Sequence, residues 1–146
     1  NISDYCLNIS FAEGFGLSTL ESMMAGVPII AAKTGGLTRQ VINHKNKTEN
    51  GVAVNIKART LVGSQTVPYI YEDYVDTTDV SKAMLKLYKI NKDANKKRKL
   101  KKKVYNYAIS EFGYQKTIDM WHDTMLKTVN DFKENKGKPK WTLVEI

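Results

Sequence analysis

Apolar positions along the first 56 residues alternate between two rhythms. Tyr5–Ser10, "YCLNIS", mixes aromatic, β-branched and small residues ahead of a glycine-rich turn, and predicts a buried strand. From Leu17 the period lengthens, and Leu17, Leu20, Met24 and Ala25 share one helical face. Gly26 suits a helix C-terminal cap, and Pro28 prevents continuation. Pro28–Ala32, "PIIAA", is almost wholly apolar, as expected of a strand covered on both faces. A glycine loop at "KTGGL" and a short helix over Thr38–Asn43 come next. His44–Gly51 is polar and turn-rich, and Val52–Ile56 predicts a third strand. Repeated strand–helix units imply an α/β fold, with a parallel sheet flanked by helices.

The second half is less even. Lys57–Thr78 holds Gly63, Pro68, Tyr69, Tyr71 and Tyr74, and reads as an ordered excursion or loop without assignable elements. Val80, Ala83, Met84, Leu87 and Tyr88 then form a helical stripe, with Thr78 or Asp79 as N-cap. A basic helix is predicted over Ala94–Ser110, with Leu100, Val104 and Ala108 inward. Phe112-Gly113 breaks it. Ile118, Trp121, Met125, Val129 and Phe132 mark a last long helix, on which Trp121 is expected to be core. The tail, Asn135–Ile146, carries Gly137 and Pro139 and is expected to be extended or disordered.

Composition narrows the setting. The 146 residues suffice for one domain, which at this size buries roughly two thirds of its unfolded surface. The single cysteine, Cys6, excludes an intrachain disulfide; it reads as a small buried hydrophobe in a reducing compartment, the cytoplasm. No signal peptide or membrane-spanning run is evident. Asn1 leads almost directly into a strand, so the chain is expected to be a piece of a longer protein. The net charge of +8 is concentrated in "KKRKLKKK", Lys96–Lys103. Its simplest reading is a solvated helix face. Peripheral contact with an anionic membrane is the next, and no nucleic-acid module accompanies it. His44 and His122 stand alone, so no metal site is expected.

The candidate chemistry lies in "EGFGLSTLES", Glu13–Ser22. A glycine turn between strand and helix leaves backbone N–H groups without intrahelical acceptors, where the helix dipole adds positive charge. Such an end binds phosphate. Gly14 and Gly16 let a ligand approach the backbone, with the amides of Leu17 and Ser18 aimed at the anion. Glu13 follows a strand and faces the crevice at the strands' carboxyl ends. Glu21, on about the first helical turn, would sit near the same crevice, where a carboxylate accepts from a ribose diol. The dipole alone also favours an acid there, by about 0.3–1 kcal/mol. A lone Gly-x-Gly is a weak signal. The spacing by itself leaves both readings open.

The segment "EGFGLSTLESMMAGVPIIAAKTGGL" resembles the donor-binding segment of group 1 (family 4) retaining glycosyltransferases. The shared pattern is Glu, seven residues, Glu, beginning "EGFGL"; then Ala25-Gly26-Val27-Pro28-Ile29; then the glycine pair; then Gly51-Val52-Ala53-Val54. The likeness is close over Asp4–Val54 and weaker beyond. It implies a GT-B fold, of which residues 1–134 would be the second half of the C-terminal nucleotide-sugar domain, with 57–78 an insertion and 135–146 a tail. It implies a UDP- or GDP-linked sugar donor, transfer with retention, and no metal or other cofactor. Carried over, Glu13 is the catalytic-site acid holding sugar hydroxyls. Gly14, Phe15, Gly16, Leu17 and Ser18 meet sugar and diphosphate, Glu21 binds ribose, and Gly35 and Gly36 form a further phosphate loop.

Three departures qualify the likeness. The family's arginine and lysine upstream of the first glutamate have no counterpart in the twelve residues before Glu13. An N-terminal acceptor-binding domain is expected as a missing partner, so the chain alone is expected to be inactive or nearly so. Arg39 stands where the family often has a glutamate, and a surface ion pair is its expected role. The competing reading is a non-catalytic Rossmann-like module that binds anionic lipid or nucleic acid through its basic helix.

Overall fold

The computed structural model describes residues 2–135. Three parallel strands, β1 (Cys6–Asn8), β2 (Ile29–Ala32) and β3 (Gly51–Val54), form a sheet in the order β1-β2-β3. Cys6 lies opposite Ile29, and Ile29 opposite Gly51, so β2 is central. Helix α1 (Leu17–Met24) connects β1 to β2, and α2 (Gly35–Val41) connects β2 to β3. The α/β class and the helix-flanked parallel sheet agree with the sequence pattern. All four residues of β2 are buried, as its apolar run requires. β1 is shorter and more open than "YCLNIS" suggested. It is an edge strand, leaving Cys6 half-buried and Leu7 exposed.

Beyond β3 the chain forms an antiparallel hairpin, β4 (Ile56–Val62) and β5 (Ile70–Val75), where the residue pattern predicts only an unassigned excursion. Gly63 and Pro68 fall in its turn region. Leu61, Val67, Tyr69, Ile70 and Tyr71 are all exposed, so no polar–apolar alternation marks its strands.

Helix α3 (Thr77–Asn91) starts at Asp76 rather than Thr78 or Asp79, because the Asp76 carboxylate accepts from the Thr78 N–H at 2.7 Å. Those backbone and side-chain bonds hold the Asp76 carboxyl below its usual range. Val80, Ala83 and Leu87 of α3 pack with Ile30, Val52 and Val54 into a buried cluster, with Tyr5, Ile9, Val75, Ile90 and Leu100 at its margin. Met84 and Tyr88, expected on this stripe, are exposed. Helix α4 (Ala94–Phe112) buries Val104, Tyr107, Ala108 and Glu111, and Tyr105 faces solvent.

The compact unit Asn1–Glu111 contains the sheet and the hairpin. A second unit begins at Phe112 and holds α5 (Tyr114–Glu134), with Gly113 as its N-cap. No residue of α5 is buried among the described residues, and Trp121 is 62% exposed rather than core. The predicted tail lies outside the described residues except for Asn135.

Leu87 is 1% exposed at the centre of the α3 contact, and Leu85 on the same helix is 58% exposed. Leu87→Ala is expected to cost about 2–5 kcal/mol by lost transfer energy and cavity formation. Leu85→Ala is expected to stay within about 0.5 kcal/mol. Urea denaturation of the two variants measures the difference.

Candidate functional site: two glycine loops at the sheet's carboxyl edge

The loops following β1 and β2 meet at the carboxyl ends of the strands, where open α/β sheets bind ligands. The first turns sharply at Gly16, whose φ of +89° lies in the left-handed region. Glu13 stabilises the turn, because its Oε1 accepts from the Gly16 N–H at 3.2 Å. The Gly16 carbonyl then accepts from the Leu20 N–H at 3.0 Å, which starts α1. The N–H groups of Leu17 and Ser18, at the first two helical positions, have no intrahelical acceptor. Leu17 is 68% exposed, so it is not on the core face predicted for it. That face is Thr19, Leu20 and Met23. Glu21 is exposed and sits in the second turn of α1, later than the first turn expected from the sequence.

The second loop explains the glycine pair. Gly35 and Gly36 open α2 instead of forming a separate loop, and α2 ends at Val41 instead of Asn43. A Cβ on Gly35 would lie 1.8 Å from the Glu13 carbonyl oxygen. One on Gly36 would lie 2.6 Å from Phe15 Cα and from the Phe15 carbonyl oxygen. The Gly36 N–H donates to the Glu13 carbonyl at 3.2 Å. The pair therefore brings two backbones into contact.

Gln40 ties the loops together. It is fully buried, and its Nε2 donates to the carbonyls of Phe15 at 2.6 Å and Gly16 at 3.1 Å. Asn50, also fully buried, donates from Nδ2 to the Gln40 carbonyl at 2.8 Å. On the β1 side, Asn8 Nδ2 donates to the Thr19 hydroxyl at 3.1 Å, linking strand end to helix. The sequence alone did not point to Gln40, Asn50 or Asn8, because each acts on a partner at least ten residues away.

Behind α2, the carboxylate of Glu111 pairs with Arg39 and with Lys45 at 3.1 Å, and His44 Nε2 lies 3.5 Å from it. Arg39 thus makes the ion pair expected of it. His44 is not isolated as the sequence suggested, since its Nδ1 also lies 3.5 Å from the Tyr107 hydroxyl. That hydroxyl donates to the Arg39 carbonyl at 2.7 Å, and burial, with the Glu111 charge, raises its pKa and keeps it protonated.

The hairpin also reaches the first loop. The Asp73 N–H donates to the Phe11 carbonyl at 2.7 Å, and the Phe11 and Tyr74 rings lie 4.5 Å apart. The Asp73 carboxylate takes a two-pronged bond from Arg59, at 2.5 and 3.0 Å. These donors hold its carboxyl below the usual range.

Residues 1–63 match the family model for glycosyl transferases group 1. This segment is part of a group 1 glycosyltransferase domain. The match contains both glycine loops, Glu13, Glu21 and Gln40, and ends just past β4. No curated protein matches the chain significantly. Among the described residues, no group of three or more His, Cys, Asp and Glu side chains is placed to hold a metal ion. None of the described helices is long and apolar enough to cross a membrane.

Gly36→Ala drives a Cβ into the Phe15 backbone and is expected to destabilise the glycosyltransferase segment by about 1–3 kcal/mol. A Cβ on Gly14 meets nothing within 4 Å, and Gly14→Ala is expected to stay within about 0.5 kcal/mol. Urea midpoints of the two variants check this.

Proposed function

We propose that this chain carries the donor half of a retaining glycosyltransferase that uses a nucleotide sugar, UDP- or GDP-linked. The observation that carries the reading is the start of α1. Two backbone amides without intrahelical acceptors follow a left-handed glycine, between Glu13 and Glu21, inside the matched segment. In this reading the diphosphate lies on the amides of Leu17 and Ser18, with the helix dipole stabilising its charge as the sugar departs. Glu21, exposed on the next turn, accepts from the ribose hydroxyls. Glu13 holds the sugar hydroxyls with the carboxylate oxygen that does not face Gly16. Gly14 and Phe15 border the sugar, and Gly35 and Gly36 support the loop from behind. Cations of the protein, rather than a metal, complete the neutralisation. The acceptor binds on a further domain of the GT-B arrangement, and this half catalyses little transfer by itself. The protein works in the cytoplasm.

The basic helix supports a peripheral contact with anionic lipid less well. Lys96, Lys99 and Lys103 line an apolar cleft of about 260 Å³ with Ile90 and Leu100. Several of the lysines already have partners: Lys96 pairs with Asp93, Lys97 with Asp4, and Lys103 donates to the Glu49 carbonyl. Burial lowers the Lys103 pKa as well. These pairings engage Lys96, Lys97 and Lys103 within the chain itself.

Ligand-observed NMR with UDP, GDP and ADP tests the proposal. Saturation transfer to the ribose of one nucleotide is expected. Glu21→Ala is expected to weaken that binding by roughly tenfold or more, the worth of a charged hydrogen bond. Transfer from none of the three, or binding indifferent to Glu21, contradicts the reading.

A further inference from the structure

The hairpin places a cation beside the donor loops. Arg59 and Asp73 are cross-strand partners, so their side chains share one face of the ribbon. Asp73 is buried, and the Thr34 side chain, next to Gly35 in sequence, helps hold its carboxyl below the usual range. The Asp73 N–H bonds to Phe11, two residues before Glu13. β5 therefore meets the loop after β1 along its backbone edge, with the buried Asp73 side chain on the face that carries Arg59. The two partners differ sharply in exposure: the Asp73 side chain is 6% exposed and that of Arg59 is 59%. Arg59 commits Nε and Nη2 to the carboxylate, which fixes the plane of the guanidinium. Its Nη1 donates to nothing among the described residues. The Tyr71 ring lies 5.9 Å from the guanidinium carbon and further restricts it.

We propose that Arg59, oriented by Asp73, contacts the phosphate of the donor bound at the start of α1. This rests on the donor-binding reading above. It gives the hairpin a task in the site, because no cation lies between Asp4 and Lys33 in the sequence to meet the diphosphate. A guanidinium already held in one plane loses little freedom on meeting a phosphate, and its outward N–H groups suit that geometry.

The test compares the full chain with Arg59→Met and Arg59→Lys, each titrated with a nucleoside and its diphosphate: uridine with UDP, guanosine with GDP, adenosine with ADP. Arg59→Met is expected to bind the preferred diphosphate roughly tenfold more weakly, with nucleoside affinity unchanged. Arg59→Lys is expected to recover part of the loss. Because Arg59→Met leaves Asp73 buried without its partner, Arg59→Met with Asp73→Asn serves as a second variant, and the same selective loss is expected. Equal losses for nucleoside and diphosphate in both variants would show a purely structural role and overturn the proposal. Unchanged diphosphate affinity overturns it while leaving the donor reading intact. A wild-type chain that binds none of the six ligands overturns both.

Discussion

The site depends on a contact between two stretches of backbone. The turn Glu13–Gly16 lies against Gly35 and Gly36 with no room for a Cβ between them. This close approach lets the Gly36 N–H reach the Glu13 carbonyl and lets Gln40 reach the carbonyls of Phe15 and Gly16. With those carbonyls engaged from behind, the opposite side of the turn presents amides. The peptide geometry that makes the start of α1 attractive to an anion is thus set from α2, a different element.

That dependence spreads outward through polar contacts more than through apolar ones. Asn50 fixes the Gln40 carbonyl, Tyr107 fixes that of Arg39, and Glu111 pairs with Arg39 and Lys45. Helix α4 therefore braces α2, and α2 braces the donor turn. From the other side, the Asp73 N–H attaches the hairpin to the Phe11 carbonyl. An isolated two-stranded hairpin is marginal in water. This one is anchored at its base by a buried carboxylate and the Phe11–Tyr74 ring contact, while its far end carries exposed Tyr69 and Tyr71.

Residues Tyr5–Val54 were legible because their strands are apolar and their turns are marked by glycine and proline. The family likeness drew on the same residues. The hairpin was not legible, because Leu61, Ile70 and Tyr71 on its strands are exposed and β5 buries a carboxylate, Asp73, instead of an apolar side chain. Trp121 is exposed where its spacing predicts core for a related reason: spacing on a helix reveals an apolar stripe but not what covers it. The reason for Gly35 and Gly36 could not be read locally either, since the atoms that forbid a Cβ belong to Glu13 for Gly35 and to Phe15 and Gly14 for Gly36. Gln40 and Asp73 look like ordinary polar residues in sequence. Their importance comes from partners 25 residues away for Gln40 and, for Asp73, from Phe11 and Arg59 on other elements.

The most direct test of the account is amide mapping by two-dimensional ¹⁵N NMR during titration with a nucleoside diphosphate. The account predicts that the Leu17 and Ser18 amides shift first and furthest, with smaller changes at Gly14 and Phe15. Shifts confined to Lys96–Lys103, with the start of α1 unmoved, would contradict it.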